Sequence, residues 1–389
     1  MKKAVLGAIA LTAAAALGLV GCGTAASGSA DGSGGPIVVG SINSLSGAIT
    51  FPESSAAAAA VFKAFNEAGG LNGRKIDYRV LDDKLDPGTA TASAREAVGG
   101  DNAVAMVGSA SMIECELNAA YYAQQGILSI PGTGVDKGCF ENKNISPVNP
   151  GPFNDLALSL NYGSKVLGLK DTCVMVAIAG SSRPSYEKVI ADWQANTGAK
   201  PLLVDYTLPY GASDYTPYIV KAKKAGCTSI SINLTEPDGA AMAKAADSQG
   251  WTDVTWLGLP SMYSANFAKA VSKIGSGMYM PVAFYPFTSD NEINADWRKL
   301  MTENNVPLTS FSQGGYLAAK YFLEILKTIP GDITRDSVTQ AIRDAQPIAN
   351  PMAGQPYKFG QIPLSGWPIV LKSGTNEWAN ASDNWFHLS

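Results

Sequence analysis

Short apolar runs alternate with longer stretches that are apolar on one face, and this rhythm persists through most of the chain. Pro36-Ile37-Val38-Val39-Gly40-Ser41 is a compact apolar run that ends in a loop. Ser54 to Ala68 follows as a predicted helix, since its alanines favour helix and Val61, Phe62 and Phe65 share one face. Gly69-Gly70 stops it. Lys75 to Leu81 alternates as a strand, and Thr89 to Val98 reads as a helix. Ala103 to Gly108 has the unbroken apolarity of a buried strand, with a helix from Met112 to Gln125 and a strand from Ile127 to Ile130.

Turn residues cluster at Asn149-Pro150-Gly151-Pro152, and the rhythm then restarts. Helices are predicted at Asp155 to Leu167, Tyr186 to Thr197, Tyr215 to Ala225 and Gly239 to Gln249. Strands are predicted at Thr172 to Ala179, Pro201 to Tyr206, Thr228 to Asn233 and Val254 to Gly258. Tyr316 to Thr328 and Arg335 to Ala345 add two amphipathic helices, and the tail from Gln346, rich in Pro, Gly and Trp, reads as extended. Alternation of this kind predicts an α/β fold with parallel sheets. Two similar units in tandem imply two similar lobes, without a residue-level internal repeat.

The amino-terminal segment breaks the pattern. Lys2 and Lys3 precede an uncharged run from Ala4 to Val20, which ends at Leu19-Val20-Gly21-Cys22. A cationic start, an apolar stretch and small residues before a cut describe a secretory signal over 1–21. The Leu-Val-Gly-Cys ending matches a lipoprotein signal at every position and makes Cys22 the expected lipid-bearing residue. Residues 22–35 are almost wholly Gly, Ala, Ser and Thr, a composition that cannot offset ordering entropy and reads as a flexible tether. The body would then sit on the extracytoplasmic face of the membrane, held by lipid.

Composition narrows the reading further. The rest of the chain is long for one core, so two lobes are expected. A net charge of −4 without any basic run excludes nucleic acid as a natural partner. Cys115, Cys139, Cys173 and Cys227 remain in an exported body, enough for two disulfides in any of three pairings. The single histidine, His387, lies near the carboxyl end behind Trp385 and Phe386, which leaves no imidazole placed to activate a nucleophile. Zinc would need more His or free Cys. Asp82, Asp83 and Asp86 lack the other ligands of a calcium loop, and Gly132-Thr133-Gly134 misses the dinucleotide fingerprint by one position. No metal or cofactor is expected, and the chain reads as a binding protein rather than an enzyme.

Asn66-Glu67-Ala68-Gly69-Gly70-Leu71-Asn72-Gly73-Arg74-Lys75-Ile76, followed by Asp82-Asp83 and Asp86-Pro87, closely resembles the first helix, turn and second strand of type I periplasmic binding proteins, in their leucine/isoleucine/valine-binding branch. Val107 to Ser111, Gly126 to Thr133, Ser185-Tyr186, Asp214-Tyr215 and Gly315-Tyr316 extend the resemblance more loosely over the mature chain. It implies two Rossmann-like lobes, each a parallel sheet with helices on both faces, and three crossings, near Asn149 to Phe153, Ala283 to Pro286 and Gln346 to Met352. The amino-terminal lobe would comprise 36–150 and 286–346, and the carboxyl-terminal lobe 151–285 and 347–389. The family also implies the pairings Cys115–Cys139 and Cys173–Cys227. It further implies a monomer that captures a small solute between the lobes and delivers it to the permease subunits of an ABC importer. A ligand-sensing module for a membrane signalling partner is the alternative use of the same fold.

By this resemblance the loop Ser109, Ala110 and Ser111, with Gly132 and Thr133, holds a ligand's anionic group, although serine there also suits a helix cap. Tyr186 would face the cleft from the second lobe, and Arg183 would either meet an acidic ligand or stay solvated. Thr235, Glu236, Ser261 and Tyr263 follow strand carboxyl ends, where the rest of the ligand would lie. Leu259-Pro260-Ser261-Met262-Tyr263 lacks the acidic residue with which the family's amino-acid binders hold an ammonium group. Either Glu236 substitutes for it, or the solute is an amide, an aromatic acid or another organic acid.

Overall fold

The computed structural model describes residues 34–274 and 277–388; Cys22 and the signal and tether segments lie outside these, except for Gly34 and Gly35. Two sheets organise the chain. The first contains β1 (Ile37–Asn43), β2 (Ile76–Asp82), β3 (Ala105–Val107), β4 (Ala110–Ser111), β5 (Ser129–Ile130) and β6 (Thr133–Gly134). Its order is β5-β3-β1-β4-β6 with β2 also on β1, and every pairing is parallel. The second contains β7 (Thr172–Ala177), β8 (Leu203–Leu208), β9 (Ser229–Ile232), β10 (Thr255–Leu257), β11 (Met278–Val282), β12 (Ser365–Leu371), β13 (Trp378–Asn380) and β14 (Phe386–His387). It runs β13-β12-β11-β10-β9-β7-β8, with β14 on β12. The strands from β7 to β11 pair in parallel, and the tail strands join antiparallel. The α/β architecture with parallel sheets is as the alternation predicts.

The helices are α1 (Pro52–Glu67), α2 (Pro87–Arg95), α3 (Glu114–Gln124), α4 (Gly138–Glu141), α5 (Gly151–Lys165), α6 (Arg183–Thr197), α7 (Thr216–Lys224), α8 (Glu236–Ser248), α9 (Ala265–Ala270), α10 (Ala295–Glu303), α11 (Ser310–Leu326) and α12 (Arg335–Asp344). Several begin about one turn before the predicted position. Pro152, Pro184 and Pro237 explain three of these early starts: proline fits the first helical turn, where its missing N–H costs nothing. For α11 the earlier start comes from a cap, as Thr309 and Ser312 form a reciprocal capping box. Gly69 and Gly70, with φ of 105° and 69°, end α1 in the left-handed region as expected.

The short elements β4, β6, α4 and α9 escaped the hydrophobic pattern, and so did two longer ones. Strand β11 carries Pro281, which pairs in register with Pro368 of β12; neither residue has an N–H, so the two share a point where the ladder loses no donor. Helix α10 buries only Trp297 and Met301, too few apolar positions to stand out. Between the sheets the chain passes three times: from β6 to α5, from β11 to α10, and from α12 to β12. The last two passages touch, since Phe284 bridges Ala353. Tyr357 in the third passage also donates its hydroxyl to the Ser146 carbonyl in the first, at 2.9 Å.

Both expected disulfides are formed. Cys115–Cys139 ties the start of α3 to α4, and Cys173–Cys227 ties β7 to the turn before β9. Cys115, Cys139 and Asp136 converge, but the two sulfurs are consumed in the bridge, so the trio is no metal centre.

Candidate functional site

A cleft of about 330 Å³ opens between the two sheets, in the size range of a small-molecule site. Elements packed on the first sheet contribute Phe51, Ile113, Leu117, Thr133 and Phe311 to its walls; those of the second contribute Phe153, Tyr186, Tyr210, Thr235 and Ser261. The parallel topology explains the location: helices enter and strands end here, so loops from both sheets converge. Phe51 and Phe311 lie 5.2 Å apart between ring centres, and Phe153 and Tyr186 4.8 Å apart, forming aromatic walls on opposite sides.

The structure sorts the predicted contact residues into two groups. Thr133, Tyr186, Thr235 and Ser261 line the cleft. Thr235 donates to Asp238 Oδ2 at 2.9 Å and Ser261 to the Leu234 carbonyl at 2.8 Å, so each hydroxyl keeps its acceptor capacity for a guest.

The others serve elsewhere. Ser109 is buried, and its Oγ accepts from the Ile42 amide at 3.1 Å. The Ala110 amide donates to Asn43 Oδ1 at 2.9 Å. Ser111 donates to Asp83 Oδ2 and accepts from the Ile113 and Glu114 amides at 3.1 and 3.0 Å, covering the start of α3. The hydroxyls expected to meet an anion are thus bonded internally, and of the two only Ser111 reaches an amide of α3. Gly132 lets Ser54 and Gly315 approach more closely than a Cβ would permit. Arg183 is exposed, paired with Glu187 at 2.8 Å and set over the Tyr206 ring. Glu236 accepts from Ser264 Oγ, and Tyr263 is buried against Phe287 with its hydroxyl 2.9 Å from Thr288 Oγ1.

Asp155 was missed by sequence reasoning. It sits on α5, lines the cleft and is only 6% exposed, and its Oδ1 has no hydrogen-bond partner among the described residues. Burial alone raises its pKa well above the ordinary carboxylate value. The available signal was a lone acid among Phe153, Leu156, Leu158 and Leu160 on an apolar helix. Asp136, also on the cleft wall, is pushed up to about 7 by burial, although the amides of Glu116, Gly138 and Cys115 oppose the shift. Lys137 is the one lysine among the described residues that lines the cleft, and its Nζ lies 3.4 Å from Glu116.

The family described as periplasmic binding protein matches residues 36–361. Among solved structures, a branched-chain amino acid transporter substrate-binding protein of Streptococcus pneumoniae, in complex with isoleucine, superposes with a TM-score of 0.74 at 13% identity, covering 91% of this chain and 100% of that one. A solute-binding protein of an ABC transporter from R. palustris, in complex with 4-hydroxybenzoate, gives 0.74 at 16% identity, covering 90% and 97%. A fatty acid ABC transporter substrate-binding protein from Thermomonospora curvata gives 0.74 at 18% identity, covering 91% and 93%. No curated protein matches the sequence.

Proposed function

The chain belongs to the periplasmic binding protein family, and on that premise we propose that it is the extracytoplasmic capture subunit of an ABC importer. Family and structural relatives alike are solute-binding proteins, not enzymes. One observation carries the reading: a mostly apolar cleft is built from both sheets, with a few polar groups set at helix and strand ends. Such a site encloses a small organic solute by its apolar body and orients it by those groups.

Relatives of this fold bind isoleucine, 4-hydroxybenzoate and, by name, fatty acids, which supports a small organic solute with substantial apolar surface. Lys2, Lys3, the apolar run and Cys22 support a lipid anchor on the mature protein. No described helix is long and apolar enough to cross a membrane. A solute touching both lobes binds better when they are closed, so it shifts the population toward the form that a permease can recognise. The protein is proposed to act as a monomer.

Titration calorimetry of the purified protein against amino acids, amides, aromatic acids and amines tests the reading. A saturable one-to-one complex supports it, while turnover of any of them would replace it with an enzymatic one. The anchor has its own test: Cys22→Ser should release the protein or leave an unprocessed precursor. An intact, unlipidated amino terminus upstream of Cys22 in the native protein would remove the anchor.

A further inference from the structure

The position of Asp155 bears on the charge of the solute. Its carboxyl is buried in the cleft wall with Oδ1 unpartnered, and a buried acceptor in a folded protein is normally satisfied. Among the described residues no arginine lines the cleft, and Lys137 is drawn to Glu116. The lining acids Glu116, Asp136 and Asp155 therefore outnumber the basic groups. The wall around Asp155 is aromatic, with the Phe153 and Tyr186 rings 4.8 Å apart between centres and Tyr210 also lining the cleft. A carboxyl in an aromatic-lined cleft suits an organic cation, which gains both ion pairing and cation–π attraction. An anionic solute would instead be buried with no free cation among the described lining residues to meet it.

We infer that the cleft takes an organic cation, a protonated or quaternary amine on an apolar or aromatic body, with Asp155 as its counter-ion. This rests on the cleft being the solute site. It separates this protein from a binder of free amino acids, because the Ser109 to Ser111 loop that would hold their carboxylate is occupied internally. In the empty cleft burial favours the protonated carboxyl, so a bound cation must displace that proton.

Calorimetry of the full chain would use benzyltrimethylammonium and phenethylamine as cationic probes and 3-phenylpropionate as the anionic one. The cations should bind, with affinity roughly 30-fold or more lower in Asp155→Asn and largely restored in Asp155→Glu. Benzyltrimethylammonium does not titrate, so its affinity for the unaltered protein should weaken on acidification by up to about tenfold per pH unit as Asp155 takes up its proton. Glu116, Asp136, Lys137, Tyr186 and Tyr210 also face the cleft; Asp136→Asn should keep the pH slope. A flat pH profile in the unaltered protein would overturn the counter-ion role even if Asp155→Asn failed to fold. Binding of 3-phenylpropionate without the cations would overturn the cation and leave the cleft standing. Binding of neither kind of probe would overturn both.

Discussion

Ser181, in the loop between β7 and α6, donates its hydroxyl to Glu116 Oε1 of α3 at 2.7 Å. The bond joins the two halves of the molecule beside the cleft, and Ser185 repeats it nearby toward Glu141 at 3.4 Å. Both serines precede or open a helix of the second half, while both acids lie on helices tied together by the Cys115–Cys139 bridge. The bridge therefore steadies the acceptor side of an interlobe contact.

That contact makes the first prediction. Exposed bonds of this kind contribute about 1 kcal/mol at most. Ser181→Ala should therefore weaken solute binding by up to about fivefold, through a larger open population rather than a lost ligand contact. Small-angle scattering of the empty variant should show a larger radius of gyration than the unaltered protein, converging at saturation. Equal radii with equal affinity would remove the latch.

Ser109 and Ser111 give a prediction opposite to the one their sequence context suggests. Their hydroxyls are bound to the Ile42 amide, to Asp83 and to the first amides of α3. Ser111→Ala should cost about 1–3 kcal/mol of stability, since Asp83 Oδ2 loses a buried donor and helix α3 its cap. Solute affinity should change little. Denaturant unfolding and calorimetry read the two effects separately, and a large affinity loss at unchanged stability would return the anion loop to the site.

Stability should also fall as pH rises. Burial pushes Glu114 up to about 8, although Tyr122 donates to it. Its folded value lies above its unfolded one, so its contribution is complete below about pH 4.5 and is lost as pH climbs toward 8. Asp136 behaves alike up to about 7. Urea unfolding from pH 5 to 8 should show a shallower decline in Glu114→Gln than in the unaltered protein. Parallel slopes would mean that the carboxyl is already ionised in the fold.

The disulfides supply a fourth test. Their sequence separations of 24 and 54 residues correspond to roughly 3–4 kcal/mol each in the loop-entropy picture. Thiol counting under denaturing, non-reducing conditions should find none free in the mature protein once Cys22 is lipidated. Replacing either pair by serine should lower the melting temperature. Free thiols at Cys115, Cys139, Cys173 and Cys227 would contradict the pairing.

The sequence alone determined what is set locally. Apolar periodicity and turn chemistry specify elements such as α1, with its alanines and its Gly69-Gly70 stop, and the buried strand β7, because a strand or helix must turn its apolar positions inward wherever it packs. The Asn66 to Ile76 stretch carried the family in the same local way. Strand β11 was not legible, because it is short and interrupted by Pro281, and only its place between β10 and the returning tail makes it a strand. Of the expected contact residues, Thr133, Tyr186, Thr235 and Ser261 line the cleft, at strand and helix ends where its loops converge. The internal bonds of Ser109 and Ser111 were not legible because their partners, Ile42 in β1 and Asp83 just after β2, are distant in the sequence. Asp155 looked like one polar residue on an apolar helix. Its meaning came only from tertiary packing, which closes the two halves around it, excludes water and leaves its Oδ1 without a donor.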